Sequence, residues 1–409
     1  MRIILGITLT VFMISSVFAA VPTKKVELIF QRSYSNPIED VLLTSMLTTE
    51  SKANELGYIN KKKTDNKIRI YYPKLIVTNQ SLILSDENLV QKELKFNRNN
   101  SEYSIVSPNR KKFAIYKAFI QNNKNPQGKA GSKLEVYDLN SSKIIDKAFE
   151  EPRNIVLSDN GSFAIFNIYE DYGSTIDFFD DKGNLVEQVK PLKGGYSYYN
   201  GRYSNLGDCF IGVFNAQGGG GVIILFDNKG NQIWKKDLKL NQFNIYQLII
   251  SEKGNYIYMA GMSFENESYK YFNYCFDIKG NTVFFKDNGK IGTFSENEQY
   301  LYLSSENEIE LMEIKTNTSI WSYSDPDSSS SITSVTFLNN GKYSIFSMRK
   351  NPQTDKKKVI ILDKHGKIFS EMNVVSDKKI KKLIVGSCGE DSFYIINGNQ
   401  LEMYKLISE

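Results

Sequence analysis

Few residue types in this chain could do chemistry, and their placement narrows the choice. There is one histidine, His365, beside Gly366 in a run that reads as a turn. A lone imidazole there excludes zinc sites built on several His and leaves a His-dependent triad without a placed base. Three cysteines, Cys209, Cys275 and Cys388, each fall within or beside an expected strand. An odd count cannot pair fully, so buried free thiols are expected rather than a disulfide scaffold. Carboxylates are plentiful, with 46 Asp and Glu. A catalytic pair could assemble across the fold without any local signature, because sequence gives no distances between distant segments.

Two motifs imitate ligand sites. Asp227-Asn228-Lys229-Gly230-Asn231 has relatives at Asp180-Asp181-Lys182-Gly183-Asn184, Asp277-Ile278-Lys279-Gly280-Asn281 and, more loosely, Asp363-Lys364-His365-Gly366-Lys367. Calcium loops need oxygen ligands at alternate positions. Lys occupies one such position in three copies, so these are read as tight turns, with Asp bonding the turn backbone and Gly at positive φ. Gly218-Gly219-Gly220-Gly221 could form a nest of backbone N–H groups, but no Gly-Lys-Ser/Thr follows, and a connecting loop is the plainer reading. No metal and no cofactor is expected.

The stretch best suited to recognition is Lys193 to Tyr203, which carries Tyr196, Tyr198, Tyr199, Arg202 and Tyr203. Tyr offers a flat apolar face with a polar tip, fit for a sugar, a peptide or a protein surface. These five are the candidate ligand-binding residues. The alternative is that the Tyr rings pack inside the fold.

The elements that would position such groups are strands in a repeat. An aromatic following a turn recurs at Phe113, Phe163, Phe210, Tyr256, Tyr300, Tyr343 and Phe393, at intervals of 50, 47, 46, 44, 43 and 50 residues. In most copies a Ser precedes it by five or six residues. A period of about 40–50 residues with four strands per unit is propeller-like. In one unit the strands are Asn154–Leu157 (a), Phe163–Ile168 (b), Thr175–Phe179 (c) and Leu185–Val189 (d). Strands b and c are nearly continuous apolar runs, while d mixes in charge, as a protected outer edge should. An eighth b strand lies at Lys74–Thr78. The last unit lacks its outer strand, which the N-terminus should supply, with Lys24–Gln31 and Ile68–Tyr72 as candidates. The fold class expected is all-β, an eight-bladed β-propeller of four-stranded antiparallel blades, with seven blades as the alternative.

Residues 1–19 read as a signal peptide. Arg2 is followed by an apolar run to Phe18, and Val17-Phe18-Ala19 suits cleavage. The run is short for a membrane span, and no later stretch is long and apolar enough for one. The chain is therefore expected outside the cytoplasm, secreted or periplasmic. Residues 20–66 are expected to hold a strand and one amphipathic helix. Asn36-Pro37 would open the helix, Ile38, Val41, Leu42, Ser45, Met46, Thr49, Ala53 and Leu56 would share a face, and Gly57 would stop it. Residues 67–409 would form the propeller. The formal net charge of +5 is too mild over 409 residues to argue for nucleic acid.

The turn phrase resembles the Asp-x-x-Thr-Gly-x-x-x-Trp repeat of quinoprotein-like propellers. Glu313 to Trp321 fits it with Glu for Asp and Asn317 for Gly, and Asp227 to Trp234 fits with one residue deleted. Both Trp residues of the chain fall at the motif's Trp position. The resemblance implies an eight-bladed propeller, often periplasmic. That family includes quinone-cofactor dehydrogenases and non-enzymatic assembly factors resembling BamB. The dehydrogenases carry adjacent cysteines, and no Cys-Cys pair occurs here, so the resemblance points to the non-enzymatic branch.

Loop lengths choose a face. The c–d turns are short and uniform, whereas the b–c connections at Gln121–Ser132, Phe264–Tyr269 and Lys350–Lys358 vary. In a propeller the b–c and d–a connections share a rim, and long loops on a rigid scaffold carry function. The expectation is a monomeric scaffold that binds a protein or polysaccharide on that rim and does no chemistry. The alternative is a lyase or glycosidase using carboxylates, Arg and Tyr in the central channel. Carboxylates and Arg clustered at the channel mouth would favour the enzyme.

Overall fold

The computed structural model describes residues 26–48, 53–54, 58, 68–86, 90–96, 102–119, 131–149, 154–168, 174–190, 196–216, 220–240, 243–265, 267–325, 331–349, 356–375 and 383–407. These form eight four-stranded antiparallel sheets. After β1 (Val26–Ser33), blade 1 holds β2 (Ile38–Thr48), β3 (Ile68–Thr78), β4 (Ser81–Ser85) and β5 (Gln91–Lys95). Blade 2 holds β6 (Glu102–Val106), β7 (Lys112–Phe119), β8 (Gly131–Asp138) and β9 (Lys143–Phe149). Blade 3 holds β10 (Asn154–Leu157), β11 (Phe163–Ile168), β12 (Ser174–Phe179) and β13 (Leu185–Val189). Blade 4 holds β14 (Tyr196–Tyr203), β15 (Cys209–Ala216), β16 (Gly221–Asp227) and β17 (Gln232–Leu238). Blade 5 holds β18 (Phe243–Ile250), β19 (Tyr256–Glu265), β20 (Ser268–Asp277) and β21 (Thr282–Lys286). Blade 6 holds β22 (Ile291–Phe294), β23 (Tyr300–Ser304), β24 (Glu308–Glu313) and β25 (Thr318–Ser324). Blade 7 holds β26 (Ser331–Leu338), β27 (Tyr343–Arg349), β28 (Lys356–Asp363) and β29 (Ile368–Val375). Blade 8 holds β30 (Ile384–Ser387), β31 (Ser392–Asn397) and β32 (Gln400–Leu406), and β1 completes it.

The fold is an eight-bladed β-propeller. The ring closes where β1 pairs antiparallel with β32, from Val26 opposite Leu406 to Ser33 opposite Gln400. Of the two candidates for the closing strand, the segment at Lys24–Gln31 takes the place, and Ile68–Tyr72 is the start of β3. First strands of successive blades pack on one another, β10 on β14, β14 on β18 and β26 on β30, which makes them the inner strands. All seven aromatic anchors sit on b strands. Their rings fill the spaces between blades. Phe163 and Phe179 stack at 4.6 Å, and Phe178, Phe210 and Phe226 join blade 3 to blade 4. A four-stranded leaflet buries little alone. Each large apolar side chain taken from water by the neighbouring leaflet contributes about 1.5–3 kcal/mol.

The expected N-terminal helix is not formed at Ile38–Thr48, which is strand β2, the inner strand of blade 1. Irregular register explains the misleading period. Glu39 is an extra residue in β2 between Ile38 and Asp40, and Lys74 is an extra residue in β3 opposite Leu42 and Leu43. Ile38 pairs with Thr78 and Val41 with Ile76, so residues three apart land on one face and are both buried. A bulge shifts the two-residue alternation by one and so imitates a helical spacing. Of the remainder, Ala53 and Asn54 have helical backbone and Tyr58 bridges Phe30. Thr49, Leu56 and Gly57 lie outside the described residues, as does the whole of the expected signal peptide. The segment set apart as 20–66 thus contributes β1 and β2 to the ring itself.

Candidate functional site

The rim carrying the a–b and c–d turns is built from two local motifs. In the c–d turns the Asp side chain does the work. Asp227 Oδ1 accepts the N–H groups of Lys229 (2.8 Å) and Asn231 (2.8 Å), and Oδ2 accepts from the Asn231 amide (2.8 Å). Asp180, Asp277 and Asp363 act likewise toward their own turns. These carboxylates are spent on turn backbone. Among the described residues no group of three or more His, Cys, Asp or Glu is placed to hold a metal. Strand d of the preceding blade docks on each turn glycine. A Cβ on Gly280 would stand 3.0 Å from the Trp234 ring, and one on Gly366 would stand 2.8 Å from Trp321. Trp234 Nε1 also donates to Ile278 O at 2.9 Å. Asn317, at the glycine position of the blade 6 turn, adopts φ +53°, as its small polar side chain permits.

The a–b turns follow a second pattern, Ser-x-x-Gly. Gly161, Gly207 and Gly254 donate N–H to the carbonyls of Ser158, Ser204 and Ser251, at φ +102°, +73° and +81°. Blades 2 and 6 make the same turn with charged residues. Arg110 donates to Ser107 O at φ +61°, and Glu298 donates to Ser295 O at φ +60°. A residue with a Cβ is disfavoured there by about 1–2 kcal/mol. Backbone tension retained at a charged residue marks a place where the side chain has a task.

The two tasks differ. Glu298 is a staple between blades 5 and 6. Its carboxylate accepts Lys253 N–H and the Asn255 side-chain amide, both at 2.6 Å. Arg110 instead reaches the axis. Its Nε donates to Asp40 Oδ2 of blade 1 at 2.7 Å, and it interacts with Asp159 of blade 3, Arg202 of blade 4 and Tyr394 of blade 8. Burial opposes the Arg110 charge, but the bond and charge of Asp40 outweigh it and hold the guanidinium above its ordinary pKa. Arg202 has no such partner among the described residues, and burial, then Arg110, pulls it below its ordinary value. Burial pushes the nearby Tyr394 hydroxyl up to about 12. The turns also meet one another. Asn109 N–H donates to Asp159 Oδ1 (2.9 Å), and the Asn205 amide donates to Asn109 Oδ1 (3.3 Å) and Glu252 O (3.5 Å). Carboxylates and Arg therefore do gather at the channel mouth; Asp40 is engaged by Arg110 and by Val41 N–H, and Asp159 Oδ1 by the Asn109 backbone, while Asp159 Oδ2 is buried with no hydrogen-bond partner among the described residues.

The opposite rim carries the b–c and d–a connections. Strand direction puts the starts of β14 and β28 on this rim, so Tyr198 and Lys356 lie toward the same side. The connections at 120–130 and 350–355, and Gly218 and Gly219 of the glycine run, lie outside the described residues. What is described is an aromatic surface on blade 5. The β19–β20 hairpin runs on past its neighbours: β18 reaches only to Ser263, and β21 pairs only with Asn273 to Phe276. Phe264 and Tyr269 are cross-strand partners with ring centroids 5.2 Å apart, and Tyr271 follows on the same face as Tyr269. Tyr246, displaced by a bulge in β18, donates its hydroxyl to Gly289 O, against which Tyr271 also packs. Tyr269 is 67% exposed, Tyr271 52%, Tyr246 43% and Phe264 38%.

The structure places the five residues expected to bind ligand on a single strand. All lie on β14, the inner strand of blade 4, and none of 196–203 is a loop. Tyr203 is buried against Phe210 (5.1 Å) in the core between blades 3 and 4. Arg202 faces the channel mouth. Tyr196, Tyr198 and Tyr199 occupy the half of β14 nearer the other rim, with Tyr199 at a bulge. The residues missed were Arg110 and Glu298. Aligning the Ser-x-x-Gly turns would have found both, as charged residues at a glycine position.

No family model and no curated protein matches the chain. Among solved structures, a eukaryotic initiation factor is similar at 10% identity, covering 84% of this chain and 89% of that chain, with a TM-score of 0.48. The β-propeller domain of Cps50 (Swd1) from Myceliophteria thermophila is similar at 8% identity, covering 75% and 97%, TM-score 0.42. Hsv2 of Kluyvelomyces marxianus is similar at 10% identity, covering 75% and 92%, TM-score 0.45. The assignment of eight blades rests on this chain's own strand pairing.

Proposed function

We propose that this chain is an exported, non-catalytic propeller that binds a protein partner through the rim carrying the b–c and d–a connections. The observation that carries this reading is the exposed cluster of Tyr246, Phe264, Tyr269 and Tyr271 on the projecting blade 5 hairpin. Aromatic side chains held on a rigid strand pair lose little conformational freedom on contact and are enriched in interface cores. Export rests on the leader-like residues 1–19, and kinship with the BamB-like branch of quinoprotein propellers rests on the two motif tryptophans.

The test is capture of partners from the native envelope or medium, with wild type beside a Phe264→Ser, Tyr269→Ser, Tyr271→Ser variant. The expected result is one protein held by wild type and lost by the variant, and then bound directly by the purified chain. Equal capture by both forms would end the proposal. Loss of a polysaccharide instead of a protein would replace the partner class.

A carbohydrate-active enzyme is the second reading, favoured by the presence of Asp40, Asp159, Arg110 and Arg202 at the channel mouth. It predicts turnover of an acidic polysaccharide that Asp159→Asn abolishes while leaving the fold intact.

A further inference from the structure

We propose that Arg110 and Arg202 form an oxyanion-binding site at the channel mouth, on the rim opposite the aromatic surface. The first ground is an excess of donors. A guanidinium offers five N–H groups. Arg110 uses only Nε, toward Asp40. Among the described residues, Arg202 donates no hydrogen bond and joins no ion pair. Among the described residues, the amino groups of one guanidinium and all donors of the other are left without acceptors. Water can serve some of them. A half-buried cation with no counter-charge bonded to it is nevertheless costly, and an anion relieves that cost.

The second ground is position. Arg202 is the next-to-last residue of β14, just before the Ser204 turn. That turn packs on the turn of blade 3, since a Cβ on Gly207 would stand 2.8 Å from Ser158 and Asn160 side-chain atoms. Arg110 projects from a turn fixed by its Ser107 bond, by Asn109 on Asp159 and by Asn205 on Asn109. Both cations are therefore mounted on rigid, mutually braced elements. The third ground is the left-handed backbone of Arg110, held at a position where three sister turns use Gly. Asp40 bonds Arg110 through Nε and so orients the planar group, leaving its amino groups without an acceptor among the described residues. Planar guanidinium edges match carboxylate or phosphate oxygens in pairs. The shared chemistry is an oxyanion, from a free metabolite or from an acidic group on a larger ligand.

The experiment titrates the full chain with inorganic phosphate and, separately, with acetate, against sodium chloride at equal ionic strength. Heat of binding and Tm are read together. Wild type is expected to bind at least one of the two oxyanions and to gain Tm with it. Arg202→Gln and Arg110→Gly should each weaken that binding about tenfold or more. Arg110→Gly guards against a trivial loss of folding, because Gly suits that backbone. Arg202→Lys keeps the charge and should bind more weakly than wild type but more tightly than Arg202→Gln. The Tyr269→Ser, Tyr271→Ser protein should bind as wild type does, which keeps this site separable from the partner surface. Phosphate bound more tightly than acetate would identify a phosphate-type ligand, and the reverse a carboxylate. No effect beyond chloride with either probe, or undiminished binding by both Arg variants, would overturn the site.

Discussion

Two families of turn share one rim of this propeller, and they have been used differently. The c–d turns are uniform scaffolding. Asp or Glu opens the turn, a small residue (Gly, Asn317 or, in blade 2, Ser141) takes positive φ, and the side chain docked on the turn, Ile145 on Gly183 or Trp234 on Gly280, comes from the preceding blade. The a–b turns have the same economy in blades 3, 4 and 5 but abandon it in blades 2 and 6, where Arg110 and Glu298 sit in a backbone suited to Gly. The inner turns face the axis, where a side chain can meet several blades. The outer turns meet only one neighbour. Both rings of turns hold a residue with a Cβ at positive φ in places, but only the inner ones put a charged side chain there, where it reaches a neighbouring blade.

The comparison can be broken in order of expected effect. Trp321 is buried on the Gly366 turn, and Trp321→Ala should cost about 3–5 kcal/mol in urea unfolding. A loss under about 1 kcal/mol would deny the c–d turns their structural role. Glu298→Gly relieves the turn but strands Lys253 N–H and the Asn255 amide, so a net loss of about 2 kcal/mol is expected. Arg110→Gly makes the same backbone exchange with the opposite purpose. It should change stability by less than about 1 kcal/mol, because relief of the turn offsets the lost Asp40 bond. Equal losses at 298 and 110 would show that both side chains are staples.

The smallest effect is in pH dependence. Burial, then Glu296 and Glu298, raises the pKa of Glu252 above its ordinary value. The folded state then holds a proton the unfolded state has lost. This contribution is full below the ordinary Glu range and disappears as pH rises from there through the raised folded value. Glu252 is largely exposed, so the slope is slight. Glu298→Gly should flatten it further, and an unchanged Tm-against-pH curve over that window would show that the two carboxylates do not interact. Glu402, buried in the seam between β1 and β32, behaves with the same sign. Burial raises it despite bonds from Tyr404 (2.7 Å) and Gln31 (3.0 Å), and Glu402→Gln should remove its share of the slope.

Much of the ring was legible because its grammar is local. A Ser before an aromatic, or an Asp four residues before an Asn, specifies a turn from within five residues, and the intervals between such turns count the blades. β2 was not legible, because the bulge at Glu39 gave Ile38 and Val41 a helix-like spacing that only pairing with β3 explains. The run from Tyr196 to Tyr203 was not legible as an inner strand for a related reason. Its aromatic and polar composition suits a surface, yet blade packing turned Tyr203 into the core and Arg202 toward the axis.

By itself the sequence determined the repeat, the turn chemistry and the need for the N-terminus to close the circle, since each is written in contiguous residues. Only the tertiary structure decided which side chains meet. Arg110, Asp40, Asp159 and Arg202 come from four blades, and Tyr246 joins Tyr271 across the edge of one. Closing a ring brings residues far apart in the chain to a common axis, and no local pattern encodes that distance.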